Sequence, residues 1–214
     1  MFADLSGFTP LTAAMGDGAA AEVLTRFAGA VRRLASERDG RVIKQIGDAF
    51  MLVFDDPRNA VLCGVSLLAW CGDEPRFPPV HIGAHAGEVL FREGDFVGAV
   101  VNAAARVASV TEPMQFLVTS DLLAGVDLPG DISCASQGLR AVKGLEEPLD
   151  LIAVTADPVP ALRRQQDPVC GMSVGPGDVT RVWQGRSWSF CSTACAEKFL
   201  VAPGSWSPSM GGPR

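Results

Sequence analysis

Phe2-Ala3-Asp4-Leu5-Ser6-Gly7-Phe8-Thr9 runs apolar residues into an aspartate, and a Ser-Gly-Phe-Thr turn then leads into a helical stretch. A second aspartate answers it. Lys44-Gln45-Ile46-Gly47-Asp48 ends one apolar run, and Ala49-Phe50-Met51-Leu52-Val53-Phe54 begins another. Two aspartates at strand edges beside glycine turns suit a pair of hard cations, which prefer carboxylate oxygen. The glycines let backbone N–H groups come close to phosphates. Either aspartate alone is equally at home as a turn residue; the pairing is what points to phosphoryl chemistry on a nucleotide.

The remaining polar groups lie in Gly94-Asp95-Phe96-Val97-Gly98-Ala99-Val100-Val101-Asn102-Ala103-Ala104-Ala105-Arg106. Asn102 and Arg106 are four apart and share one helix face. Val100, Val101, Ala104, Val107 and Ala108 supply an apolar stripe elsewhere on that helix. On FADLSGFT, KQIGDAFMLVF, HIGAHAGEV, GDFVGAVVNAAARV and LRAVKGLEEPLDLIAV, in this order and spacing, residues 1–155 resemble the class III nucleotidyl cyclase catalytic domain.

The resemblance implies an α+β, ferredoxin-like fold and a homodimer that converts ATP to cyclic AMP and pyrophosphate. Asp4 and Asp48 would hold two Mg²⁺ or Mn²⁺ ions, one activating the ribose 3′-hydroxyl and one holding the leaving phosphates. The backbone at Gly7, Phe8 and Thr9 would cradle the triphosphate at a helix N-terminus. Lys44 and Asp95 match the purine-reading positions of adenylate-forming members, lysine donating to adenine N1 and the carboxylate accepting from the exocyclic amine. Asn102 would orient the ribose, and Arg106 would neutralise charge growing on the α-phosphate. Lys143, in Val142-Lys143-Gly144, matches a phosphate-binding lysine, although Lys-Gly is a common loop pair. Asp4 and Asp48 would come from one subunit and Lys44, Asp95, Asn102 and Arg106 from the other.

Length and charge agree with this reading. The 214 residues allow one large domain and one small one. A formal net charge of −6 argues against a nucleic-acid partner. Residues 1–156 carry −8 and residues 157–214 carry +2, a shift that supports a boundary. No apolar run is long enough to span a bilayer, and no basic segment precedes a hydrophobic stretch at the start. A cytoplasmic protein is the expectation.

The first domain alternates strand-like and helix-like segments, giving a βαββαβ-type sheet with helices on one face. Helices are expected over 18–38, 59–70 and around Asn102 and Arg106. Strands are expected over 1–5, 41–46, 49–54, 80–89, 116–119 and 149–154, with a turn at 92–95. Met1 falls inside the first strand, so that strand is short and frayed or the start lies too far downstream. Cys63 and Cys71 sit in an apolar helix and read as buried structural thiols; Cys134 is isolated. His81 and His85 share a strand face and read as satisfied strand histidines rather than a metal pair.

Residues 156–166 carry two prolines and read as a semi-rigid linker. Beyond them come Asp167-Pro168-Val169-Cys170-Gly171-Met172 and Trp188-Ser189-Phe190-Cys191-Ser192-Thr193-Ala194-Cys195. Residues 167–206 resemble the YHS domain, a small ββα unit, and 207–214 read as a disordered tail. Cys191 and Cys195, at i and i+4, can face one metal with Cys170 on a preceding knuckle. Thiolates select Zn²⁺ or Cu⁺; Met172, a nearby carboxylate or water would complete the shell. Simple packing of the cysteines is the alternative. Two competing functions stay open: a degenerate cyclase-homology module that senses nucleotide or dimerises, and a metal-binding sensor.

Overall fold

The computed structural model describes residues 1–145, 147–156 and 165–206. The chain runs β1 (Phe2–Leu5), α1 (Phe8–Met15), α2 (Asp17–Ser36), β2 (Arg41–Ile46), β3 (Ala49–Val53), α3 (Pro57–Asp73) and β4 (Val80–Ala84). A small hairpin, β5 (Leu90–Arg92) and β6 (Asp95–Val97), precedes α4 (Ala99–Ser109). Then follow β7 (Phe116–Thr119), α5 (Ser120–Leu123), β8 (Ile132–Arg140) and β9 (Leu149–Ala156). Seven strands form one sheet in the order β2-β3-β1-β4-β7-β9-β8. The β4–β7 pair is parallel, with α4 in the connection between them; the other neighbours are antiparallel. This is the α+β sheet that the sequence implied.

Helices cover both faces, where one face was expected. Phe116, beside Ile82 in the β4–β7 register, packs on Gly64 of α3 and belongs to the main core with Phe27 and Val31 of α2. On the opposite face Leu117 and Leu151 pack with Val107 of α4. The cause is Gly83: a Cβ there would stand 2.1 Å from the Ala108 backbone nitrogen. Helix and strand therefore meet backbone to backbone. Gly83→Ala should push α4 off the sheet and cost about 1–3 kcal/mol by overpacking, read from the denaturant midpoint. An unchanged midpoint would refute this close packing as a constraint.

The first strand is short but not frayed. Phe2 to Leu5 pair with β4, Phe2 and Ala3 with β3, and Leu52 N donates to Met1 O at 2.9 Å. The strand expected over 80–89 stops at Ala84; the next residue, His85, hydrogen-bonds Thr119 Oγ1 of β7 at 2.8 Å. Burial lowers the pKa of His85. Cys63 and Cys71 are buried on α3, and burial pushes the Cys63 thiol up to about 12.

The C-terminal unit has a short β10–β11 pair (Gln165–Gln166, Ser173–Val174), a hairpin of β12 (Val179–Trp183) and β13 (Arg186–Phe190), and α6 (Thr193–Val201). Its core is aromatic: Phe199 lies 5.7, 5.0 and 5.2 Å, centroid to centroid, from Trp183, Trp188 and Phe190. The unit packs on the larger domain. Ser173 N donates to Phe77 O at 3.1 Å, Phe77 N donates to Ser173 Oγ at 3.3 Å, and Lys198 Nζ donates to Ala14 O. Most of the expected linker (157–164) and the expected disordered tail (207–214) lie outside the described residues.

Candidate functional site

Asp4 lies near the end of β1, and Asp48 lies on the β2–β3 turn. Burial, then the charge of Asp4, holds the Asp48 carboxyl above its usual pKa, so the two carboxylates compete in one place. Asp4 Oδ1 is buried and has no hydrogen-bond partner among the described residues. An orphaned carboxylate oxygen is costly unless a cation or donor completes it. A hard cation fits this pair on that ground.

The turn after Asp4 passes through Gly7, in the left-handed region at φ 74°, and opens α1 at Phe8. No side chain caps this helix end, so the first-turn N–H groups remain available for an anion. Thr9 is exposed in that turn.

Lys44 sits beside a bulge in the β2–β3 register and forms an ion pair with Asp95. The hydrogen bond from Lys44 lowers the pKa of Asp95, and Phe96 N donates to its other oxygen at 2.8 Å. A donor and an acceptor thus stand side by side. Asn102 and Arg106 are exposed on one face of α4. A Cβ on Gly144 would lie 3.5 Å from Arg106 Nε, so the guanidinium rests on the loop that carries exposed Lys143. Among the described residues, no hydrogen bond or ion pair joins the Asp4–Asp48 group to Lys44, Asp95, Asn102 or Arg106.

In the tail, Asp167, Cys170, Cys191 and Cys195 are all buried, with their ligand atoms within 4.8 Å of one another. Cys170 Sγ is 3.4 Å from Cys191 Sγ, which is 3.8 Å from Cys195 Sγ. A tetrahedral site with metal–sulfur bonds of about 2.3 Å has edges of about 3.8 Å, so the spacing suits one ion. Hydrogen bonds from Cys170 and then Cys191 pull the Cys195 thiol far down, whereas its bond to Cys191 pushes Cys170 up. Asp167 Oδ1 accepts from Val169 N at 2.8 Å and Oδ2 from Cys191 N at 2.7 Å, pinning the knuckle. A carboxylate keeps lone pairs for a metal beyond those two bonds. Sequence reasoning named only an unspecified carboxylate here; the Asp-Pro-x-Cys spacing, a turn with its cysteine three residues on, was the signal for Asp167.

Residues 1–152 match the family model of the adenylate and guanylate cyclase catalytic domain. The chain belongs to this family. Residues 165–207 of this cyclase-family chain match the YHS domain model. An uncharacterized protein of Mycobacterium tuberculosis is 35% identical over 148 residues, 69% of this chain and 38% of its own length. An adenylate cyclase of Glutamicibacter nicotianae is 31% identical over 145 residues, 67% of this chain and 36% of its own. The chain thus spans under two-fifths of the length of these relatives. An adenylate cyclase structure from Trypanosoma brucei, in its monomeric state, superposes with a TM-score of 0.67 at 20% identity, over 76% of this chain and 88% of that one; it supports the cyclase fold. No helix among the described residues is long and apolar enough to cross a membrane.

Proposed function

We propose that the protein is an adenylate cyclase, forming cyclic AMP and pyrophosphate from ATP at two composite sites of a homodimer. The observation that carries this is the Asp4–Asp48 pair, with one buried oxygen unpartnered beside an uncapped helix N-terminus. Bound there, two Mg²⁺ or Mn²⁺ ions would acidify the ribose 3′-hydroxyl and screen the leaving phosphates. Gly7, Phe8 and Thr9 receive the triphosphate on backbone N–H groups. Lys44 donates to adenine N1 and Asp95 accepts from its amine. Asn102 orients the ribose, Arg106 meets the α-phosphate charge, and Lys143 binds phosphate. The proposed division is a cyclase domain over 1–155, a linker over 156–166 and a YHS unit over 167–206 that holds Zn²⁺ or Cu⁺.

Purified protein given ATP or GTP with Mn²⁺ or Mg²⁺ tests the reaction, with product identification. ATP should be the better substrate. Guanine presents the opposite donor and acceptor pattern at the two atoms that Lys44 and Asp95 would read. Lys44→Glu should therefore lower kcat/KM for ATP by about 10²-fold, because the adenine edge would lose its donor and meet an acceptor instead. Equal or better conversion of GTP by the parent would overturn the adenine reading. Nucleotide binding with no conversion would favour a degenerate sensing module instead.

A further inference from the structure

We propose that His81 is a positioning residue for the divalent cation at Asp4; this rests on the Asp4–Asp48 metal reading and extends it to β4. Asp4 and His81 are direct cross-strand partners on β1 and β4, so their side chains leave the sheet together. Gly83, two residues on, faces α4, which places this pair on the α4 side. His81 Nδ1 lies 3.0 Å from Ser6 Oγ, and Nε2 lies 3.4 Å from Asp4 Oδ2. With the Ser6 hydroxyl donating to Nδ1, the neutral ring carries its proton on Nε2 and turns it toward the carboxylate.

Ser6 thus meets the ring at Nδ1 while Nε2 stands against the Asp4 carboxylate, the two residues flanking Leu5 where β1 turns toward the phosphate cradle. One carboxylate oxygen faces the imidazole, and the other is buried and unpartnered. A free aspartate samples a broad χ2 torsion. Fixing Oδ2 from the histidine side fixes where Oδ1 points, and that orientation is what a cation needs before it arrives. In the sequence His81 reads as a satisfied strand histidine, because strand pairing decides which residue it faces.

The test is Mn²⁺ binding to the full chain without nucleotide, read from loss of the free-ion EPR signal. His81→Ala should weaken binding by about 10–100-fold, the range for partners that orient a ligand. His81→Gln, whose amide nitrogen reaches the place of Nε2, should restore most of that loss. Parental binding in His81→Ala, with binding abolished in Asp4→Asn, overturns the role of His81 and leaves the metal site standing. Parental binding in Asp4→Asn removes the metal reading itself. Binding by His81→Gln as weak as by His81→Ala, at equal melting temperatures, also overturns the donor role. If His81→Ala does not fold, Ser6→Ala takes its place: it releases only Nδ1, should weaken Mn²⁺ binding, and overturns the inference if it binds like the parent.

Discussion

Asp48→Ala and Arg106→Ala should each be nearly inactive alone, and an equimolar mixture should recover about one quarter of parental activity, as random pairing in a two-fold dimer gives. Loss of a ligand from a two-metal clamp forfeits several kcal/mol of charge stabilisation. At about 1.4 kcal/mol per tenfold, that is about 10³-fold. An arginine that meets charge developing on a transferred phosphoryl group contributes about 10³–10⁵ in kcat. Among the described residues no hydrogen bond or ion pair joins the two groups within one chain: Asp48 lies on the β2–β3 turn, whereas Arg106 rests on the Gly144 loop. A shared site predicts that a mixed dimer regains one complete set. Exposed Ile46, Leu90, Phe91 and Val97 lie around the Lys44–Asp95 pair, apolar surface of the kind a partner subunit would cover. If heterodimers form and the mixture stays inactive, the sites are not shared.

What the sequence disclosed, and what it hid, follow from how local each feature is. The β2–β3 hairpin was legible because two apolar runs flank Gly47-Asp48, and α2 because Val23, Phe27, Val31 and Leu34 recur at helical spacing and are buried. Strand β8 was missed: Ser133-Cys134-Ala135-Ser136 carries no apolar alternation, since this edge strand is exposed and held mainly by its ladder to β9. Hairpin β5–β6 read as a bare turn because each strand has three residues. Placement of α4 on the far face was hidden in Gly83, whose missing side chain matters only once the helix is there. The Lys44–Asp95 pair came from family resemblance rather than spacing, as the two residues are 51 apart in the chain. The His81–Asp4 contact could not be read locally, because it depends on a partner brought in from another strand.

Metal in the tail should reach the cyclase site through two contacts, each three residues from a proposed ligand. Cys170 precedes Ser173, which exchanges hydrogen bonds with Phe77. Two residues later Pro79 O accepts from Ser6 N at 2.8 Å, next to the end of β1. Cys195 and Lys198 lie one turn apart on α6, and Lys198 holds Ala14 O in the last turn of α1, the helix whose first turn is the proposed phosphate cradle. An ion drawing Cys170 and Cys195 together would fix both contacts, and a state without it would let each relax. The double variant Cys191→Ser, Cys195→Ser should take bound Zn²⁺ or Cu⁺ from about one ion per chain to near zero, because two of the proposed ligands are gone. Unchanged metal content, measured by elemental analysis, would return the cysteines to packing. Cyclase rate in that variant should change by about fivefold or more, the lower end of usual coupling between sites. Lys198→Ala should keep the ion and reproduce part of the change in rate, since it cuts one contact and leaves the proposed ligands in place. Loss of metal with an unaltered rate would mean that the tail binds its ion without acting on catalysis.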